Sequence, residues 1–484
     1  MFNVDELLTK WATSTPNSIA FIDEERQVTF AEANVDARKI ADVLARSGIA
    51  RGDLVALALP PYVAWSFSLA LNLLGATMLS RSSEIFFPTE IFPDWLIGIT
   101  PDPNFPSDRT LLFNQDFLEK IKLSPGITRA PGFLSELDPV FLFSTSGTTG
   151  TNKYLSADSY YLTEMIKNLW PFEIYVSGRI LIFPKFGGYI ATVTASKLLF
   201  VGKPFINCNV LDARVIQVMQ NNSVTGIYGS PAQVVDFLEI VEFEGVAQTN
   251  ISTIILGGTV PSEPLVERMK RLFSCEIYDA QGSTEGGWIA TKELTKSIPS
   301  GATIHPEVTL QIVDENDELL SVNDVGRIRY HRPGMSTAYY KNPVATSEFF
   351  KDGFFYPGDL GFINEQGLLV LAGRAIEIIN LGGVKINPQD IDKVAIAQTG
   401  VSDCACFAVL GAAGIEELAI ALVVDSSFDR DRFMSAMNQK SLVRVALLIT
   451  VPAIPRNPGG KIIRAQLATQ FATEIAQLQD TTGA

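Results

Sequence analysis

The sequence has few of the residues on which disulfide, zinc and histidine chemistry depend. Its 484 residues include only four cysteines and two histidines, His305 and His331. The cysteines are too few for a disulfide framework, and Cys404 and Cys406 lack the second pair of ligands that a structural zinc ion needs. A catalytic triad or a histidine metal site would have to use one of the two histidines. We therefore expect small buried cysteines, and surface or structural roles for both histidines.

The chain also has no long hydrophobic run and no excess of positive charge. Although 47% of its residues are hydrophobic, charged or turn residues interrupt every stretch of the roughly 18 residues that a membrane helix needs, and the N-terminus lacks a basic segment followed by an apolar one. The net charge of −15 opposes broad binding to nucleic acid or anionic lipid. We expect a soluble, cytoplasmic protein without nucleic-acid or membrane partners, in which any anion site is local.

A Walker A motif is absent, but one polar loop has the composition of a phosphate site. After the apolar residues 140–143, the chain is rich in hydroxyls and glycines as far as Lys153. Glycines let backbone N–H groups face an anion, hydroxyls donate hydrogen bonds, and a lysine adds positive charge. The spacing from Gly147 to Gly150 is too short for Walker A, and Tyr154 replaces its magnesium-binding hydroxyl. On these residues alone, a phosphate site and a flexible polar loop are equally consistent.

The order of apolar segments predicts an α/β protein with more than one domain. A capping box from Thr29 to Glu32 starts a helix that ends near residue 47. An apolar run at 55–59 and a helical stretch at 62–74 give a strand followed by a helix, and similar alternation resumes after residue 179. This pattern predicts parallel sheets flanked by helices. The length favours at least two domains.

The sequence texture changes near residue 308 and again near residue 374. Short alternating segments separated by turn residues predict a β-rich subdomain at about 305–374. The residues beyond 374 have a small α+β pattern of their own. We predict a large N-terminal domain, 1–374, and a small C-terminal domain, 375–484.

Four groups of residues resemble the motifs of the ANL superfamily of ATP-dependent, AMP-forming adenylating enzymes, which includes acyl- and aryl-CoA synthetases, peptide-synthetase adenylation domains and luciferases. They occur in the order of that family over almost the whole chain. The groups are Ser144-Thr-Ser-Gly-Thr-Thr-Gly-Thr-Asn-Lys153; Gln281-Gly-Ser-Thr-Glu-Gly-Gly287; Tyr356-Pro-Gly-Asp-Leu-Gly361 with Gly373-Arg374 and Leu381-Gly-Gly-Val-Lys-Ile-Asn-Pro388; and Pro455-Arg-Asn-Pro-Gly-Gly-Lys-Ile-Ile-Arg464.

The resemblance implies how the chain binds ATP and Mg²⁺. A carboxylate that attacks the α-phosphate brings two anions together, so cations and donors must neutralise them. Thr148 and Lys153 would hold the β- and γ-phosphates. Glu285 would bind Mg²⁺, which prefers oxygen ligands, and Thr284 would contact the α-phosphate. The other residues implied at the nucleotide are Thr145, Ser146, Gly147, Thr149, Gly150, Gly258, Gln281, Gly282, Asp359 and Arg374.

Residues in the last two motif groups have distinct implied tasks. Asp359 would accept bonds from both ribose hydroxyls, with Arg374 adding a charged fork beside it. Lys461 would neutralise charge on the carboxylate and the α-phosphate during adenylation. A mobile C-terminal domain would then rotate and bring Gly382 and Gly383 to the thiol channel.

Three residues depart from the family pattern. Ile376 stands at the usual hinge position, Gln281 stands where a tyrosine often stacks on adenine, and Asn152 replaces a common proline. The hinge residue and the adenine contact therefore differ from the family pattern, but no charge that the reaction needs is lost.

The acid predicted from these residues is aromatic or otherwise apolar. Amino-acid-activating relatives usually carry an aspartate soon after the strand at 179–183, and residues 184–189 contain none; this region resembles aryl-CoA ligases. Lys185 is either a partner for a second acidic group on the acid or a solvated lysine. The predicted lining residues, each of which could also be plain core, are Phe186, Tyr189, Tyr228, Gly257, Gly258 and Trp288.

Three functions remain open at this point. The first is an acyl- or aryl-CoA ligase, using ATP, Mg²⁺ and coenzyme A. The second is a stand-alone adenylation enzyme that loads a carrier protein. The third is a non-catalytic nucleotide-binding homologue, against which the presence of Lys461, Glu285 and Asp359 argues.

Overall fold

A computed structural model gives the protein's structure over most of its length. It describes residues 2–80, 91–145, 153–167, 178–209, 212–246, 250–261, 263–295, 301–374, 379–381, 384–386, 388–410, 416–440, 445–456 and 460–471. The chain forms two compact units. The first comprises Met1–Ile298, Thr303–Thr309 and Tyr330–Phe355, and the second Pro299–Ala302, Leu310–Arg329 and Tyr356–Ala484. The predicted domain boundary after residue 374 stays a prediction.

Two sheets organise the first unit. The six-stranded sheet has the order β6-β5-β3-β4-β7-β8, and all neighbours are parallel except β7 and β8. Buried side chains fill both faces of its central strands, as expected of parallel strands covered by helices. Its strands are β3 (Leu54–Ala58), β4 (Thr77–Ser80), β5 (Trp95–Gly98), β6 (Thr110–Leu112), β7 (Pro139–Thr145) and β8 (Lys153–Asp158).

The second sheet of this unit has nine strands in the order β15-β14-β13-β12-β11-β9-β10-β1-β2. Its central strands are parallel, and antiparallel strands close both edges. The carboxyl ends of β11, β12 and β13 therefore lie side by side. The strands are β1 (Ile19–Ile22), β2 (Gln27–Thr29), β9 (Ile180–Ile182), β10 (Phe205–Asn207), β11 (Gly226–Gly229), β12 (Thr253–Gly257), β13 (Glu276–Ser283), β14 (Gly287–Glu293) and β15 (Thr303–Ile304).

Helices alternate with these strands along the chain, so the predicted α/β class is confirmed. The predicted capping box is present at the start of α2, where the side chains of Thr29 and Glu32 bond to each other's backbone N–H groups. The helices of the first unit are α1 (Val4–Ser14), α2 (Phe30–Arg46), α3 (Pro61–Leu74), α4 (Gln115–Leu123), α5 (Ser159–Lys167), α6 (Tyr189–Val201), α7 (Arg214–Asn221), α8 (Pro231–Phe243), α9 (Glu263–Leu272) and α10 (Pro343–Phe349), with a 3₁₀ turn at Ser107–Arg109.

The second unit contains a small α/β core. Short antiparallel strands come before this core in the chain. In that core β24 pairs antiparallel with β25, which pairs parallel with β26. The remaining elements are β16 (Thr309–Val313), β17 (Gly326–His331), β18 (Phe350–Lys351), β19 (Phe354–Phe355), β20 (Asp359–Ile363), β21 (Leu369–Arg374), β22 (Ile379–Leu381), β23 (Val384–Ile386), α11 (Pro388–Ile396), β24 (Val401–Leu410), β25 (Glu416–Val424), α12 (Arg430–Lys440) and β26 (Val445–Thr450).

Strand β24 supplies side chains to two separate hydrophobic clusters. Cys404 and Cys406 pack in one cluster, and Ala405 and Phe407 pack in the other. This division follows from the two-residue period of a strand, which sends successive side chains to opposite faces. Both cysteines are small buried residues, as predicted, and burial raises the pKa of the Cys404 thiol.

Among the described residues, none of the helices combines the length and the apolar character needed to cross a membrane.

A substitution at Gly75, the residue that follows the last turn of α3, tests the packing there. Gly75 has φ +75°, and a Cβ there would lie 2.1 Å from the carbonyl oxygen of Gly132. We expect Gly75→Ala to lower the free energy of unfolding through left-handed backbone strain of about 1–2 kcal/mol and overpacking of about 1–3 kcal/mol. Gly52→Ala is the matched control, because Gly52 has φ +88° with nothing within 4 Å of its Cβ position. Equal losses in urea unfolding would contradict this packing.

Candidate active site

The predicted phosphate loop connects the two strands of a β-hairpin. Strands β7 and β8 are antiparallel, and their last pair joins Thr145 to Lys153. The seven residues between them lie outside the described residues, and with them the predicted contacts of Ser146, Gly147, Thr148, Thr149 and Gly150. The hairpin nevertheless fixes the two ends of the loop side by side.

Lys153 is buried on aromatic rings. Only 8% of the residue is exposed, and its Nζ lies 3.4 Å from the ring centre of Phe349 and 5.3 Å from that of Tyr339. An ammonium group over an aromatic face is attracted by the ring quadrupole, most strongly when water is excluded. The rings therefore stabilise a charged lysine at the end of the hairpin.

Tyr339 also contacts the carboxylate predicted to bind magnesium. Its Oη donates a hydrogen bond of 2.7 Å to Oε1 of Glu285, whose exposure is only 7%. Burial and the negative charge of Glu285 raise the pKa of Tyr339 well above its usual value. The hydroxyl therefore remains a proton donor to the carboxylate at neutral pH.

The backbone around Tyr339 holds β8 and the Glu285 turn in place. The N–H of Tyr340 donates to the carbonyl of Tyr154 at 2.7 Å, and the N–H of Ser336 donates to the carbonyl of Glu285 at 3.0 Å. One segment thus connects the strand that carries Lys153 to the turn that carries Glu285. The structure brings together two residues that the sequence predicted to serve ATP.

Hydroxyl groups fix the turn after β13. The Ser283 Oγ accepts hydrogen bonds from the backbone N–H groups of Glu285 and Gly286 at 3.2 and 3.3 Å, and it lies 2.8 Å from the Tyr330 Oη. The carbonyl of Thr284 accepts a 2.8 Å bond from the hydroxyl of Tyr161. Both predicted catalytic residues in this turn are therefore held by their backbone.

The predicted adenine-side residues lie at the ends of β12 and β13. Gly258 has φ +95°, and a Cβ on Gly282 would lie 2.1 Å from the carbonyl of Gly287, so a close backbone approach requires glycine at Gly282. The Nε2 of Gln281 donates to Oδ2 of Asp279 at 3.0 Å. Its Oε1 is buried and has no hydrogen-bond partner among the described residues. Burial raises the pKa of Asp279 to about 6.

The ribose-side residues belong to the second unit. Asp359 begins β20, Arg374 ends β21, and the two residues pair across these antiparallel strands. Gly382, Gly383 and the unusual Ile376 lie outside the described residues. The predicted roles of these five residues stay predictions.

Ion pairs on both sides of Lys461 anchor its loop within the second unit. Arg456 contacts Oδ1 of Asp403 at 2.8 Å, and Arg464 contacts Oδ2 of Asp392 at 2.5 Å. Arg456 also donates to the carbonyl of Gly460 at 3.0 Å. The Arg464 pair is largely buried, and such pairs hold their geometry more tightly than exposed ones. Arg456 and Arg464, the described residues on the two sides of Lys461, are therefore each held by an ion pair.

A cavity of about 30 Å³ lies behind the Glu285 turn. Two of the predicted acid-pocket residues, Tyr189 and Trp288, line it. Tyr228 stacks on Trp288 with ring centres 6.1 Å apart, and a Cβ on Gly257 would lie 2.1 Å from the Tyr228 Oη. Phe186 packs instead against Phe205. The described residues that line it are Met165, Tyr189, Ile190, Val193, Thr194, Lys197, Gly287, Trp288, His305 and Arg332.

These features match a known family. The sequence model of the AMP-binding enzyme family matches residues 8–79 and 100–340. The chain belongs to the AMP-binding enzyme family. The resemblance predicted from the four groups of motif residues is confirmed.

This AMP-binding enzyme also resembles individual relatives along nearly its whole length. It is 25% identical to long-chain-fatty-acid–CoA ligase FadD13 of Mycobacterium tuberculosis, over 98% of this chain and 100% of the relative. It is 23% identical to 4-chlorobenzoate–CoA ligase of Arthrobacter sp., over 97% and 96%. The crystal structure of ATP-bound MatB from Rhodopseudomonas palustris superposes with a TM-score of 0.84 at 20% identity, over 98% of this chain and 100% of MatB. The predicted fold is confirmed.

The cavity of the AMP-binding enzyme also contains three basic residues that the sequence did not predict there: Lys197, His305 and Arg332. Their exposures are only 6%, 4% and 3%. Burial, and then the charge of Arg332, lowers the pKa of Lys197 to about 7 and that of His305 to about 4. One signal was available, because Lys197 is the only charged residue in the apolar helix α6. His305 and Arg332 are distant in sequence and gave no such signal.

The raised pKa of Asp279 leads us to expect that the stability of the protein depends on pH. The pKa of Asp279 is raised from 3.8 to about 6 in the folded protein, so the folded state binds more protons than the unfolded state between these values. Stability therefore falls as the pH rises from about 4 to about 6. We expect Asp279→Asn to remove this fall and to be more stable than the native protein at pH 7, by up to about 3 kcal/mol. Asp108→Asn, at an exposed position, is the control; an unchanged pH profile of urea unfolding for Asp279→Asn would contradict the assignment.

Proposed function

We propose that the protein is an ATP-dependent, AMP-forming acid–thiol ligase. An oxygen of the carboxylate substrate attacks the α-phosphorus of ATP, the bond to the β-phosphate oxygen breaks, and pyrophosphate leaves. The thiol of coenzyme A, as thiolate, then attacks the acyl carbon and AMP leaves. Relatives named as CoA ligases that align along 100% and 96% of their own length support this choice.

The proposal rests on the hydrogen bond between Tyr339 and Glu285. The ammonium group of Lys153 lies over the ring of the same tyrosine. A buried ammonium and a buried carboxylate beside one glycine-rich hairpin suit the phosphates of a nucleotide and its metal ion. The lysine neutralises the leaving pyrophosphate, which is where negative charge develops as the bond breaks. The carboxylate would repel those phosphates unless a cation separated them.

Glu285 fits a magnesium site that the nucleotide completes. Its Oε1 accepts from Tyr339, and no donor among the described residues contacts its Oε2. No cluster of three histidine, cysteine or acidic side chains that could hold a metal ion occurs in the described part of the chain. Mg²⁺ would thus take one oxygen from Glu285 and the others from phosphates and water, as is usual at nucleotide sites. When bound, the ion supplies charge neutralisation at the phosphates.

Lys461 and Asp359 keep the roles that the sequence predicts for them. Lys461 neutralises the oxygens between the acid and the α-phosphate, and Asp359 binds the ribose hydroxyls. The sequence predicts an aromatic or otherwise apolar acid, and Tyr189 and Trp288 in the cavity offer aromatic faces to its carbon skeleton. Coenzyme A rather than a carrier protein as acceptor remains part of the proposal.

Acid-dependent exchange of labelled pyrophosphate into ATP tests the adenylation step. We expect exchange with at least one member of a broad carboxylic-acid panel. Lys461→Ala should lower its rate by on the order of a hundredfold, because a transition-state charge contact is lost. Lys393→Ala is the control, since Lys393 is an exposed lysine of the same unit. No exchange with any acid would refute the enzymatic proposal in favour of a nucleotide-binding homologue.

The same acids with coenzyme A, or with a carrier protein bearing its pantetheine arm, distinguish the acceptors. Mass spectrometry should find an acyl-CoA thioester. A thioester on the carrier protein alone would establish the alternative acceptor.

Tyr339→Phe tests whether Glu285 binds magnesium. Removal of the hydroxyl leaves Oε1 of Glu285 without its donor, and loss of such a supporting contact typically weakens metal affinity by about 10–100-fold. We expect a higher Mg²⁺ concentration for half-maximal exchange, and Tyr340→Phe as control should leave it unchanged. The same Mg²⁺ requirement in both variants would refute this role of Tyr339.

A further inference from the structure

The cavity behind the Glu285 turn is unusual because basic groups line a space that is otherwise apolar. Lys197 projects from α6, Arg332 follows β17, and His305 follows β15. The Nζ of Lys197 lies 4.8 Å from the ring centre of Trp288. A buried charge is costly unless an opposite charge or a full set of hydrogen bonds compensates it.

Arg332 is only partly compensated. Its Nη1 donates to the carbonyls of Gly286 and Trp288 at 3.3 and 3.1 Å, which fixes the plane of the guanidinium. Its Nε and Nη2 are buried and have no hydrogen-bond partner among the described residues. Nη2 lies 4.0 Å from Oε2 of Glu307, which is too far for a hydrogen bond, and the Glu307 side chain is 55% exposed.

The Nε–Nη2 edge, which has no hydrogen-bond partner among the described residues, has the geometry that binds a carboxylate. Two parallel N–H groups match two carboxylate oxygens, and arginine makes such paired bonds more readily than lysine. A neutral apolar acid would leave this edge unpaired. An acid with a second positive group would be repelled by Lys197 and Arg332.

We propose that the acid substrate carries a second anionic group, a carboxylate, which binds in this cavity on Arg332 with Lys197 beside it. The inference rests on the proposed function and names its substrate class. The carboxylate that reacts is the other one, at the Glu285 turn. Tyr189 and Trp288 contact the carbon skeleton between the two groups.

The size of the cavity limits the second group to a compact one. One water-sized group needs about 10–15 Å³ of such space, and the cavity offers about 30 Å³. A carboxylate fits this space, whereas a long alkyl chain does not.

Pyrophosphate exchange with matched acids tests the inference. Aliphatic and aromatic dicarboxylic acids, such as glutaric, adipic and isophthalic acid, are compared with their monoamides, which keep the shape but lose one charge. We expect kcat/KM to be higher for the best diacid than for its monoamide by on the order of tenfold or more, because a site built for a polar group rejects an analogue that lacks it.

Substitutions then test which residues cause the preference for a diacid over its monoamide. Arg332→Gln and Lys197→Met should each reduce the ratio of diacid to monoamide by about tenfold. Lys185→Met is the matched control, because Lys185 is exposed and is the lysine that the sequence offered for the same task; it should keep the native ratio. Thermal unfolding checks that each variant is folded, and Arg332→Lys, which keeps the charge without the fork, should have an intermediate ratio.

The outcomes separate this inference from the proposed function. Exchange that is equally fast with monoamides or apolar monoacids in the native protein would overturn the second carboxylate and leave the ligase standing. A ratio that survives both Arg332→Gln and Lys197→Met would place the selectivity elsewhere and overturn the inference. No exchange with any acid would overturn both proposals.

Discussion

Burial of charge near the carboxyl ends of β11, β12 and β13 is the constraint on which the site depends. Lys153, Glu285 and Arg332 all lie in places that water barely reaches, so each needs a partner from the protein or from a ligand. Aromatic faces compensate the lysine and a tyrosine hydroxyl compensates the carboxylate. We propose that these same groups bind ATP, a metal ion and an acid.

Local signals predicted the scaffold well. The capping box at Thr29 marked the start of α2, and the continuous apolar run at 55–59 marked β3, because a strand buried on both faces must be apolar throughout. Between residues 80 and 131 the sequence predicts a short helix at 115–121, which the structure confirms as α4, but it predicts neither of the two short strands β5 and β6. Strands of three or four residues show too little periodicity to be recognised, and their neighbours in the sheet determine them.

The candidate site was predictable only where its residues are adjacent in sequence. The turn with Thr284 and Glu285 and the hairpin ending in Lys153 each have a recognisable composition. Tyr339 lies 54 positions from Glu285, and nothing in its neighbours indicates the hydrogen bond that joins them. The basic cavity is a similar case, since α6, the segment after β15 and the segment after β17 meet only through the fold. Long-range contacts of this kind require the structure.

The most direct test of the account is the identity of the products formed from ATP labelled at its α-phosphate. With the native protein, Mg²⁺ and an accepted acid, chromatography should show labelled acyl-adenylate without a thiol and labelled AMP when coenzyme A is added. Acid-dependent release of labelled ADP would show cleavage at the β–γ bond instead. That result would contradict the assignment of this site to acid adenylation.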